Sequence, residues 1–126
     1  MTVPLVVVDG ANVVGSVPDG WWRDRAGAAE RLRDALAPVL ATGLPDLPAP
    51  IEIALVVEGK AREVGATDNG ISVVRASGSG DDAIADLVRV SAPTRRVVVI
   101  TADRGLRDRV TAFGAEVRGP TSVPRR

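Results

Sequence analysis

Residues 4–8 read Pro-Leu-Val-Val-Val, an apolar run with no polar alternation, which is the pattern of a strand buried on both faces in a parallel sheet. Similar short apolar runs follow at residues 51–57, 71–76, 97–100 and 115–118, most of them bounded by glycine, proline or an acid. Between the first two runs the period changes. Trp22, Ala26, Ala29, Leu32, Leu36 and Val39 recur at spacings of three and four, which predicts an amphipathic helix ended by Pro38 and Gly43. Residues 60–67 suggest a short helix or irregular crossover, and Asp68-Asn69-Gly70 a turn. Residues 81–90 predict a helix with acids in its first turn, and residues 104–113 a last helix capped by Gly114. Residues 1–118 are expected to form one domain, with 119–126 a short frayed tail.

Strands alternating with helices imply an α/β fold, a parallel sheet covered by helices on both faces. In such a sheet the ligand crevice lies beyond the carboxyl ends of the strands. Acids sit at or just after those ends: Asp9 after the first run, Glu58 after the second, Asp81 and Asp82 after the third and Asp103 after the fourth. Residues scattered through the sequence therefore converge on one edge. Gly10 lets the backbone turn sharply after Asp9, and Asn12 places a neutral donor and acceptor beside it. A strand order of 3-2-1-4-5 would make the first and fourth strands neighbours and set Asp9 beside Asp103. Asp81, Asp82 and Asp103 also suit helix starts, where aspartate caps and meets the helix dipole favourably.

Composition narrows the chemistry. Among the 126 residues there is no cysteine and no histidine, which removes disulfides, thiolate and imidazole metal sites, and histidine-dependent triads. A metal would have to be held by oxygen, which favours magnesium or manganese. Two carboxylates about 5 Å apart repel by roughly 3 kcal/mol at an effective dielectric near 20, so a cluster of them calls for a neutralising cation. The 16 basic and 16 acidic residues balance, so any attraction to nucleic acid must come from local patches rather than net charge. Arg104 and Arg107 share a helix face near the acidic edge and are candidates for holding phosphates. Trp22 fits the core stripe, leaving Trp21 as the candidate for stacking on a base. No run is long enough to span a bilayer and no signal-peptide pattern opens the chain, so a cytoplasmic location with no membrane partner is expected.

The segments Val8-Asp9-Gly10-Ala11-Asn12, Ser79-Gly80-Asp81-Asp82-Ala83-Ile84 and Thr101-Ala102-Asp103 resemble the NYN domain of the PIN-like nuclease superfamily, in particular its bacterial YacP-type branch. The resemblance runs over residues 3–118. It implies a PIN-like three-layer α/β/α domain and an acidic site binding Mg2+ or Mn2+. It also implies endonucleolytic cleavage of single-stranded RNA. Asp9 would be the metal ligand of the first strand, with Asn12 its polar neighbour. Asp81 would take the acidic position in mid-chain, with Asp82 a competing choice, and Asp103 the position after the fourth strand. Thr101 would orient a water or a ligand. The acid after the second strand, Glu58, departs from that pattern but could join the metal site.

Other readings share some of these features. A haloacid-dehalogenase-like phosphatase needs a second acid at position 11, which is alanine, and a dinucleotide binder needs a Gly-x-Gly-x-x-Gly turn after the first strand, which is absent. A non-catalytic RNA-binding or regulatory module, or a small nucleotide pyrophosphohydrolase, stays open. So do a homodimer and a ribosomal or antitoxin partner.

Overall fold

The computed structural model describes residues 2–65 and 68–125. Five parallel strands, β1 (Leu5–Asp9), β2 (Glu52–Val57), β3 (Ser72–Arg75), β4 (Val97–Ile100) and β5 (Glu116–Arg118), form one sheet in the order 3-2-1-4-5. The central strand is β1, buried along its whole length: Val8 pairs with Leu55 of β2 and with Ile100 of β4. Alternation along β1 divides the core. Val6 and Val8 pack toward α1 (Gly10–Gly15), α2 (Arg25–Leu36) and α3 (Val39–Thr42), in a cluster with Val13, Leu32, Leu36 and Val39. Leu5 and Val7 pack toward α4 (Gly80–Ser91) and α5 (Arg104–Ala112), with Ile84, Val88, Leu106 and Val110. Leu32 and Leu36 are fully buried, each contributing roughly 2 kcal/mol relative to an exposed side chain. The architecture is the α/β sandwich expected from the sequence, with the expected strand order.

Three local expectations are corrected. Trp22, read as part of the core stripe, is 55% exposed. Trp21–Arg23 is a 3-10 turn entered through the left-handed Gly20, and α2 starts afresh at Arg25 behind its cap Asp24, whose carboxylate accepts from the Gly27 N–H at 2.9 Å. The turn breaks the helical phase, so a stripe counted across it does not continue. Within α2 the buried face includes a charge: Arg33 is 8% exposed, donating to Asp34 and to the Gly65 carbonyl.

The second correction is at the end of β1. Gly10, expected to turn the backbone sharply, instead opens a six-residue helix, Gly10–Gly15, capped by Asp9. Of the crossover expected over residues 60–67, Gly59–Glu63 is a 3-10 turn, and residues 66 and 67 lie outside the described residues.

The third is the tail. Instead of fraying after Gly119, the chain makes a 3-10 turn at Pro120–Ser122 and buries Val123 among Val6, Val8 and Val13, while Arg125 donates to the Ser16 carbonyl at 3.3 Å. Val123→Ala is expected to cost about 2 kcal/mol of folding stability. A denaturant midpoint within about 0.5 kcal/mol of the parent would show that the tail contributes nothing to the core.

Candidate active site

The pleat that sorts the core also aims the polar residues. Asp9 has the parity of Leu5 and Val7, Thr101 that of Val97 and Val99, and Glu58 that of Ala54 and Val56, so all three continue onto the α4–α5 side of the sheet. There they meet the start of α4. Asp9, Glu58, Asp81 and Asp103 line one open cavity of about 350 Å3, together with Asn12, Ser79 and Ala11. Four acids from four strand ends are thus brought together, as the sequence suggested.

Asp9 is the most enclosed of them, at 5% exposure. One carboxylate oxygen accepts from the Asn12 N–H at 3.3 Å and the other from the Thr101 hydroxyl at 2.8 Å. The Thr101 hydroxyl in turn accepts from the Asp103 N–H at 3.1 Å, so one buried side chain fixes the carboxylate of β1 against the loop after β4. Asn12 adds a second tie: its side-chain oxygen accepts from the Ala102 N–H at 2.8 Å, which leaves its amide nitrogen for another acceptor. Asp103 caps α5 by accepting from Leu106 N–H at 2.9 Å. Glu58 accepts from the Gly80 N–H at 2.9 Å. A methyl group on Gly80 would sit 3.2 Å from that carboxylate, a tight approach that glycine avoids.

The doubled acids separate cleanly. Ser79, not either aspartate, caps α4, accepting from the Asp82 N–H at 3.1 Å. This places Asp81 toward the cavity and Asp82 away from it, where it pairs with Arg109 of α5 at 3.0 Å. Among the described residues Asp81 makes no hydrogen bond or ion pair through its carboxylate. It lies at the electrostatic centre of the group. Burial raises its pKa first, then Asp103 and Glu58 raise it further; Arg109 opposes them, and Asp82 adds the smallest rise. The pKa of Asp9 is raised as well, chiefly by burial. The hydrogen bonds from Thr101 and Asn12 work against that rise, and Asp81 and Glu58 add to it.

These carboxylates supply only hard oxygen donors, and their mutual repulsion is of the kind a divalent cation relieves. Their donor chemistry therefore fits magnesium or manganese. Among the described residues no three of them stand close enough together to form a ready-made ion site. Asp9, Glu58 and Asp103 each accept a hydrogen bond from a backbone N–H through one carboxylate oxygen.

The remaining expected site residues are more scattered. Arg104 and Arg107 are exposed on α5, and neither makes an ion pair among the described residues. Trp21 is half-buried outside the acidic cavity, in an adjoining one with Arg25 above its ring at 5.3 Å. Thr101, expected to orient a water or ligand, spends its hydroxyl on Asp9 and Asp103. Ser79 was not singled out from the sequence as a site residue, although Ser-x-x-Asp before an apolar run carries the signal of a cap.

No family model matches the sequence, and no curated protein sequence matches it. Solved structures do. Rae1 (YacP) from Bacillus subtilis is similar with a TM-score of 0.74 at 15% identity, over 97% of this chain and 71% of that one. A tryptophan-to-leucine variant of the same protein gives 0.72 at 16% identity, over 94% of this chain and 70% of that one. At this identity the likeness is one of fold, and at that level it agrees with the YacP-type resemblance of the sequence segments. Among the described residues no helix is long and apolar enough to cross a membrane.

Proposed function

We propose that the chain is a magnesium- or manganese-dependent endoribonuclease that cleaves single-stranded RNA. The observation that carries this reading is the convergence of Asp9, Glu58 and Asp103 with Asp81 on one cavity, with Asp9 buried and clamped between Thr101 and Asn12. The fold shared with Rae1 (YacP) supports it. Asp9, Asp81, Asp103 and Glu58 would hold the ion. When bound, such an ion supplies charge neutralisation at a phosphodiester and activates water for in-line attack. The chain's own part is positional. Thr101 fixes the orientation of Asp9, Ser79 starts α4 so that Asp81 faces the cavity, and Asn12 keeps the loop after β4 against α1. Arg104 and Arg107 would steady the RNA backbone through its phosphates.

The test is cleavage of a labelled single-stranded RNA in manganese, in magnesium and in EDTA. Cutting that requires either metal supports the reading. Binding without cutting in any of the three would replace it with a non-catalytic RNA-binding module. The two adjacent aspartates give a sharper comparison. Asp81→Asn is expected to lower the cleavage rate on the order of 100-fold, the equivalent of nearly 3 kcal/mol of transition-state stabilisation. Asp82→Asn breaks only an exposed pair with Arg109 and is expected to change it by less than about 3-fold. Equal losses would mean that the acidic register is misassigned.

A further inference from the structure

Beside the acidic cavity lies a second one of different character. Its walls are largely apolar, formed by Ala11, Ala29 and Val57 with the indole of Trp21, and its volume is about 240 Å3. Two of its lining residues, Ala11 and Glu58, also line the acidic cavity, so the two adjoin. At its rim Arg25 holds its guanidinium 5.3 Å from the centre of the Trp21 ring. Indole and guanidinium are the side chains on which nucleobases stack, and the apolar wall suits the face of a base rather than a phosphate. The polar group at the junction is Glu58. Its Oε2 accepts from Gly80, and its Oε1 makes no hydrogen bond among the described residues, so it can accept from an N–H edge.

We propose that this second cavity is a nucleobase subsite, taking the unstacked base of the nucleotide whose phosphate lies in the acidic cavity. The inference rests on the nuclease reading for the identity of the neighbouring cavity. A base and its phosphate are joined by a single ribose, so a base subsite must adjoin the phosphate site, and the shared Ala11 and Glu58 meet that requirement. Stacking on Trp21 and Arg25 accepts any base, whereas the free oxygen of Glu58 favours bases that present an exocyclic amino group. RNA with an unpaired, splayed base at the scissile step is then the preferred substrate, because a base held in a duplex cannot reach the indole.

The experiment uses the full chain. Trp22 is exposed and outside the cavity, so Trp22→Phe leaves Trp21 as the single indole. In EDTA, the fluorescence of that variant is titrated with each of the four nucleoside monophosphates and, separately, with ribose phosphate. Saturable quenching by nucleotides and none by ribose phosphate is expected, strongest for bases with an exocyclic amino group. No quenching by any nucleotide overturns the subsite. In parallel, a single abasic position is walked along a cleavable RNA. One position is expected to raise KM roughly 5- to 150-fold with kcat little changed, the range of one base–aromatic stack. Trp21→Ala should raise KM by a similar factor on intact RNA and add nothing on the RNA abasic at that position. Additive losses, or cleavage indifferent to every abasic position, would refute the subsite while leaving the nuclease intact. Nucleotide quenching without any RNA cleavage would keep the subsite and refute the nuclease. Should Trp21→Ala fail to fold, the quenching titration alone decides.

Discussion

Asp9→Asn is expected to remove RNA cleavage by a factor of at least about 1,000, while the metal-free protein becomes no less stable and loses less stability than the parent as pH rises from acid towards neutral. The rate follows from taking a charged oxygen donor out of the acidic cavity, worth several kcal/mol of charge stabilisation at a transferring phosphoryl group. The stability follows from linkage. The pKa of Asp9 is raised above its ordinary value of 3.8, because burial and the charges of Asp81 and Glu58 outweigh the hydrogen bonds from Thr101 and Asn12. Below that ordinary value the native and unfolded states both keep the proton. As pH rises through the interval up to the raised native pKa, the unfolded chain releases its proton first, so the native state holds more protons and stability falls. Above the native pKa the penalty is complete and constant. Asp81, raised for similar reasons, contributes in the same direction. Thermal midpoints measured in EDTA from pH 3.5 to 7 should therefore shift downward in the parent relative to Asp9→Asn, the gap opening as pH rises and then staying constant. A variant that cuts RNA normally, or that melts well below the parent at pH 7, would contradict this account of Asp9.

Gly10→Ala is the second large effect, and it acts on folding. A methyl group at Gly10 would stand 2.5 Å from the Val56 carbonyl oxygen and 3.3 Å from the Leu55 side chain. The carbonyl belongs to β2, bonded in the middle of the sheet, and cannot turn aside. The overlap can be relieved only by moving α1 away from β2, at a cost of roughly 3 kcal/mol, the upper part of the usual range for overpacking. Because α1 carries Ala11 and Asn12, that movement also withdraws the Asn12 oxygen from the Ala102 N–H. Chemical denaturation should show the loss of stability, and the cleavage rate should fall with it even where the variant is fully folded. A midpoint within about 0.5 kcal/mol of the parent would mean that α1 sits less firmly than the contact implies.

Much of this site is legible in the sequence because parallel strands are unambiguous when they are valine-rich and end in acids. The pattern of residues 5–9 and 97–103 fixes both the buried pair of strands and the edge on which Asp9 and Asp103 stand, and parity alone sends Asp9, Glu58 and Thr101 to one side. What escapes the sequence is short-range geometry. Gly-Ala-Asn-Val-Val-Gly has poor helix propensity and a glycine at each end, and it is helical here because Asp9 caps it and Val13 is buried. The exposure of Trp22 depends on a 3-10 turn that no period reveals. The choice between Asp81 and Asp82 depends on where α4 begins, and that is set by the hydroxyl of Ser79, two residues before Asp81. Arg33 reads as solvent-facing charge, yet a carbonyl 32 residues away draws it inside.

Glu58 stands in three places at once: at the end of β2, between the two cavities, and against the first N–H of α4. A cation that drew both oxygens of this carboxylate would take Oε2 from Gly80, giving up a charge-assisted hydrogen bond worth about 1.5–3 kcal/mol. Occupancy of the acidic cavity and the firmness of the next helix would then trade against each other through one side chain. The price falls at the helix start, where Asp81 is presented, so the side chain that brings a charge to the ion is also the one that would loosen its neighbour's footing.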